Sequence, residues 1–232
     1  MEEFASELMS NLESKVSFVI PYFGGIPVAR SVVITWGIML FLVVMSKLLV
    51  KNLKMIPTGS QVYLETVVGF LNDFFEGILG KEGKRYLPYL GTVALYIGCA
   101  NLVGIFGLTP PTKDLNVTAG LAIMSILLIE YSGIKAKGTN GWIKSFAEPM
   151  PLLAPINVLE IFIRPLSLCM RLFGNILGGF VVMELIKMII PVFVPIPFSL
   201  YFDIFDGLIQ TYVFVFLTSL FMKEKMELEH HH

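Results

Sequence analysis

Charge is scarce in this sequence, and histidine is missing from all of it but the last three positions. Charged residues make up 15% of the 232 residues and hydrophobic residues 55%, whereas ordinary globular proteins carry about 25% charge. Mean hydropathy is +0.76. A formal charge of −1 leaves no basic face for nucleic acid. His230, His231 and His232 end an LEHHH tail that looks like a tag remnant. Proton chemistry elsewhere must therefore use carboxylates, amides or hydroxyls. Cysteine is nearly absent too. Cys99 and Cys169 lie in apolar runs without metal-ligand spacing, so they read as small buried hydrophobes and exclude a zinc site or disulfide scaffold. There is no phosphate-binding loop, hence no nucleotide chemistry on this chain. The start, Met1-Glu2-Glu3, lacks the basic-then-apolar pattern of a secretory leader. No internal repeat appears, which argues against an inverted-repeat transporter.

What is present is a series of long apolar runs. A helix needs about 20 mostly apolar residues to cross the hydrocarbon core. Such runs occur at 31–50, 86–108, 115–134, 152–190 and 197–222. The spacing predicts an all-α integral membrane fold of five to six helices, a single membrane domain over 1–229. Residues 58–82 mix Glu65, Asp73 and Glu76 with Val67, Leu71, Phe74 and Phe75 at helical spacing. They read as an amphipathic helix on the membrane surface, or else as a hydrophobic stem packed under other helices. The run 152–190 is too long for a perpendicular crossing and should tilt strongly, forming a hairpin with 197–222 turned at Pro191, Pro195 and Pro197. Lysines and arginines collect after the first, third and fifth runs and before the second, as at Lys47, Lys51 and Lys54 or Lys81, Lys84 and Arg85. The positive-inside rule then puts the N-terminal segment, 1–30, outside and the C-terminus in the cytoplasm.

The informative residues are the polar ones inside these runs. Arg171 has no charged neighbour between Arg164 and Glu184. Such an arginine costs about 2.5–3.5 kcal/mol at the helix centre on insertion scales. Gly174, Asn175 and Gly178 follow at three, four and seven residues, on the same face, and the glycines allow close approach of another helix. A guanidinium beside a smooth groove suits a carboxylate that moves past it; a snorkelling or packed arginine is the blander reading. Asp203, Asp206 and Gln210, spaced i, i+3 and i+7, form a second stripe suited to a water-lined path from outside, with helix capping the alternative for both aspartates. Glu184 either lines that outer path or sits at the interface. Glu160 lines an inner exit or pairs with Arg164. Asn101 is a polar group in the second run without a capping role, and Glu130 reads as an interfacial carboxylate near Lys135.

The stretch RPLSLCMRLFGNILGG resembles the signature of the F-type ATP synthase a subunit. NLVGIFGLTPPTKDLNVTAGLA and GLIQTYVFVFLTSLFM are similar to further segments of that family, and the likeness covers roughly 86–222 in order. The resemblance implies a stationary, non-catalytic membrane subunit that couples H+ or Na+ movement to rotation and ATP synthesis. It implies a ring of c subunits, the b subunits of a peripheral stalk and the lipid bilayer as partners, no cofactor, and residence in a bacterial plasma membrane. It assigns Arg171 as the cation facing the ring, with Asn175 and Gln210 as matched polar positions. The position seven residues before that glutamine is usually His or Glu in the family; here it is Asp203. Some members carry a Glu where this chain has Phe180, so Glu184 or Asp203 must supply the outer carboxylate. The alternative class is a secondary transporter binding an anion at Arg171. A purely structural scaffold leaves the polar stripes unexplained.

Overall fold

The computed structural model describes residues 16–20, 26–51, 55, 59–146, 151–189 and 195–227. The terminal histidines, Lys54 and the turn residue Pro191 lie outside the described residues. Strands β1 (Val16–Ile20) and β2 (Ile26–Ala29) form an antiparallel pair that the apolar-run reading did not anticipate. Helices follow: α1 (Arg30–Leu49), α2 (Ser60–Leu79), α3 (Leu87–Leu102), α4 (Leu115–Ser145) and α5 (Ala154–Ile189). A short α6 (Pro195–Ser199) passes into a π-helical stretch, Leu200–Asp206, and then α7 (Gly207–Met226). Five helical stretches are long and apolar enough to cross a membrane: Arg30–Leu49, Lys81–Phe106, Leu115–Ser145, Ala154–Met188 and Pro197–Met226.

The helix ends follow local chemistry. After α3 the chain tightens into a 3-10 turn, Val103–Phe106, and Gly107 closes it at φ 72° with its N–H bonded to the Gly104 carbonyl at 2.9 Å. That left-handed conformation favours glycine, and Pro110 and Pro111 cannot extend the helix. Asp114 then caps α4, its carboxylate accepting the Asn116 amide N–H at 3.0 Å. The run read as 115–134 continues further, to Ser145, but breaks at Gly138, where φ is 74°. The break brings Trp142 back to donate its indole N–H to Glu130 at 2.7 Å. In α5, 36 residues at about 1.5 Å each make a helix of about 54 Å, well beyond a core about 30 Å thick. Pro165 lies inside it and removes one backbone bond.

The chain forms two compact units. One comprises Met1–Asn52, Leu95–Thr118 and Leu172–Thr211, the other Leu53–Ala94, Ala119–Arg171 and Tyr212–His232. The first unit is knit by buried polar pins. Asn101, 2% exposed, donates to the Gly207 carbonyl at 2.9 Å and the Thr211 hydroxyl at 3.3 Å, and accepts from Thr112 at 2.8 Å. A Cβ on Gly207 would come within 3.0 Å of the Asn101 Cβ, so glycine permits this approach. Helix α1 is tied on by Ser31 to Asp114 at 2.5 Å and Thr35 with Tyr96 at 3.1 Å, while most of its apolar surface, including Trp36, Leu40 and Phe41, stays exposed. In the second unit α2 buries Phe75 and Leu79 and sets Phe74 against Tyr212 at 5.5 Å. Val67, on the apolar face by spacing, stands exposed with Val62 and Phe70. The packed stripe is narrow, and an apolar face is left for lipid or a partner.

Asn101→Leu should leave the Thr112 hydroxyl without its acceptor and take one of two donors from the Gly207 carbonyl, which keeps Thr211, at about 1–3 kcal/mol. A clear fall in the thermal midpoint of the purified protein is the expected outcome; an unchanged midpoint would remove the pin from the account.

Candidate functional site

Helix α5 has two faces. Along one, Leu168, Leu172, Ile176 and Met183 are buried; along the other, Ser167, Arg171, Gly174, Asn175, Gly178 and Val182 are exposed, while Arg164, on nearly the same side as Arg171, is buried. At about 100° per residue the exposed set spans roughly a third of the circumference. Nothing lies within 4 Å of a Cβ built on Gly174 or Gly178, so the face beside Arg171 is flat and open. Among the described residues, no hydrogen bond or ion pair engages the Arg171 guanidinium. Asn175 shares its face.

Within the first unit lies a cavity of about 960 Å³. Asp203 and Glu184 both line it, together with Asp114, Lys113, Ser31 and Arg30. The Asp203 carboxylate accepts from Ser199 at 2.5 Å. Gly104 makes room for it, since a Cβ there would sit 2.6 Å from Oδ1. Glu184 takes a bond from Lys187 at 3.0 Å. Sequence reasoning missed Asp114 as a cavity residue; the signal was its place beside the double proline in TPPTKD, which the chain reverses to meet α1 through Ser31. Phe180 also lines the cavity, with the Lys113 ammonium 3.5 Å from its ring centroid.

The stripe drawn through Asp203, Asp206 and Gln210 assumed α-helical spacing. The π-helical stretch Leu200–Asp206 forms i→i+5 bonds and widens the turn, so the two aspartates diverge. Asp203 lines the cavity, and Asp206 is hydrogen-bonded by the Gln210 side chain, which is 5% exposed. Asn101 is buried with its amide engaged on both sides, as described above. In the second unit Glu160 pairs with Arg164 at 2.5 Å, and Glu224 reaches the same guanidinium at 2.6 Å. Glu130 meets Lys225 at 3.6 Å rather than Lys135.

The arrangement is an exposed cation on a glycine-bearing helix face, and, within the first unit, a cavity of about 960 Å³ lined by carboxylates and cations. The family described as ATP synthase A chain matches residues 31–223. The chain belongs to the ATP synthase A chain family. It is 37% identical over 215 residues to the ATP synthase subunit a, sodium ion specific, of Propionigenium modestum, covering 86% of this chain and 74% of that protein. It is 40% identical over 198 residues to ATP synthase subunit a of Moorella thermoacetica, covering 85% and 90%. With ATP synthase subunit a 2 of a Bradyrhizobium species it shares 34% over 207 residues, covering 89% and 92%. Membership of the ATP synthase A chain family sets the chain's work in ion-coupled ATP synthesis, as a multi-pass membrane subunit of the stationary F0 part.

The cavity geometry makes Gly104 a sensitive position. Gly104→Ala should displace the Asp203 carboxylate, and if the cavity carries the ion it should slow flux through the reconstituted complex. Gly120→Ala, at a position with nothing within 4 Å, should leave flux unchanged. Equal flux in both variants would separate the cavity from the conduction path.

Proposed function

We propose that Arg171 is the fixed cation that faces the c-subunit ring, and that the cavity around Asp203 and Glu184 is the outer inlet for the transported ion, H+ or Na+. The observation that carries this reading is the exposed guanidinium, which takes no hydrogen bond or ion pair among the described residues, on the open glycine face of a 36-residue apolar helix. A charge at lipid depth that takes no internal partner is costly, and a carboxylate brought to it from outside offsets that cost. The open space over Gly174 and Gly178 lets a rotor helix approach closely.

An ion enters past Asp203 and Glu184, then moves by way of Asp206, Gln210 and Asn175 and loads onto a rotor carboxylate. When the ring returns that carboxylate from the other side, Arg171 favours its ionised form. An opposite charge within about 4–6 Å lowers a carboxylate pKa by about 1–3. The ion leaves toward the cytoplasm near Glu160. Because a guanidinium does not deprotonate, Arg171 also blocks direct passage between the two half-channels. Each charge crossing the membrane gains about 2.3 kcal/mol per 100 mV, so several crossings are needed for one ATP. Asn101, with its amide held by Gly207, Thr211 and Thr112, supports the path by packing.

Residues 1–229 then act as a single membrane domain, with the N-terminus outside and the C-terminus cytoplasmic in a plasma membrane. The lysines and arginines flanking the five spans favour that orientation. Helix α2 lies along the surface, and the b subunits of the peripheral stalk hold the subunit still. The chain is itself non-catalytic and needs no cofactor.

In the reconstituted complex, Arg171→Ala should abolish ATP-driven ion pumping while leaving ATP hydrolysis by the rest of the complex measurable. Retained coupled pumping would falsify the assignment. Asp203→Asn should slow ion flux with assembly intact; flux equal to the parent's would take the cavity carboxylate out of the path.

A further inference from the structure

Seven residues before Arg171, helix α5 carries a second guanidinium, and its treatment is the opposite. Arg164 is 8% exposed. Its Nη2 donates to Glu160 at 2.5 Å and to Glu224 of α7 at 2.6 Å, and its guanidinium lies 4.8 Å from the centroid of the Phe221 ring. The next residue of α7, Lys225, pairs with Glu130 of α4 at 3.6 Å and lies 4.7 Å from the Phe146 ring centroid. The last turn of α7 is thus held to α5 by its acid and to α4 by its base.

The position of this clasp along α5 gives it a purpose. Pro165 has no N–H, so the backbone bond to the Ile161 carbonyl is missing. The Glu160–Arg164 pair spans that same turn from the side. A turn without its backbone bond is where a long helix bends or twists. Residues seven apart lie within about 20° of each other around a helix. Whatever fixes the azimuth of Arg164 therefore fixes that of Arg171. The buried stripe begins within one helix position: Arg171 is exposed, whereas Leu168, about 60° around the helix from it, is 2% exposed.

We propose that Arg164 is a positioning residue for Arg171: held by Glu160 and Glu224 across the proline-weakened turn, it sets the rotation of α5 that keeps the Arg171 guanidinium on the open face. The proposal rests on the role assigned to Arg171 above. Glu160 is accordingly a member of the clasp as well as a neighbour of the inner exit.

The test uses the complete ATP synthase in proteoliposomes, with Cys99→Ser so that Cys169 is this chain's one reporter thiol. Two readouts are taken on each variant: ATP-driven pumping, and the alkylation rate of Cys169 by N-ethylmaleimide, read from the mass of this chain. Arg164, with its side chain 10% exposed, is the shared partner of two part-exposed carboxylates and ties α7 to α5, so Arg164→Gln, which loosens that tie, should cut pumping by about tenfold and speed alkylation by about threefold. The exchange Arg164→Glu with Glu224→Arg should return both to within about twofold of the parent, because the new arginine at 224 can reach both carboxylates. Unchanged alkylation in Arg164→Gln overturns the proposal, as does an exchange that restores Cys169 protection but not pumping. Faster alkylation with intact pumping would instead sink the role given to Arg171. If Arg164→Gln is not incorporated into the complex, Glu224→Gln decides: parental values for both readouts overturn the clasp, and partial loss of pumping with faster alkylation supports it.

Discussion

A guanidinium in an apolar helix must be neutralised or kept for use, and α5 carries one of each kind. Arg164 is buried between two carboxylates and an aromatic ring. Arg171 stands exposed beside two glycines with open space over them. Both face nearly the same way around the helix, so chemistry alone does not separate them; packing does. Arg164 meets Glu224 and Phe221 of α7, and among the described residues Arg171 meets no such partner. Much of the molecule can be read as holding that difference in place: the pairs at the end of α7, the return of Trp142 onto Glu130, and the glycines that let neighbours close in.

The first unit treats polar groups by a different rule. Here amides and hydroxyls cross-link distant segments, as Asn101 does between the Gly207 carbonyl and the Thr112 hydroxyl, because an unsatisfied group at membrane depth costs several kcal/mol. Carboxylates are gathered around one cavity, each with a short-range partner: Ser199 for Asp203, Lys187 for Glu184, Ser31 for Asp114. The cavity carries cations and anions on its walls, so its field is mixed. Lys113 over the Phe180 ring adds one of the positive charges.

The helical plan was legible from hydropathy and length. Runs of apolar residues report burial in lipid or protein without reference to any partner, and α1, α5 and the span through α7 begin and end near where those runs do. The strand pair ahead of α1 was not legible, since five-residue strands next to an apolar run carry no distinct period. The reach of α4 beyond its apolar run was missed because the added turns, past Gly138, are polar and are held by Trp142 rather than by hydrophobicity. The stripe of Asp203, Asp206 and Gln210 was drawn on α-helical angles, and a π-helical turn, which depends on how the chain packs and not on composition, redirected Asp203 to the cavity.

By itself the sequence determined that the chain spans a membrane several times, that it belongs with the ATP synthase A chains, and that Arg171, Asn175 and the two glycines share a helix face. These follow from hydropathy, from an uncommon motif and from the fixed pitch of a helix, all local properties. Only the tertiary structure decided which arginine is paired and which is open, that Glu224 reaches Arg164, that Asp114 joins Asp203 and Glu184 around one cavity, and that Asn101 is a pin. Each of those depends on a residue from a distant part of the chain arriving at a few ångströms, and no local pattern encodes that distance.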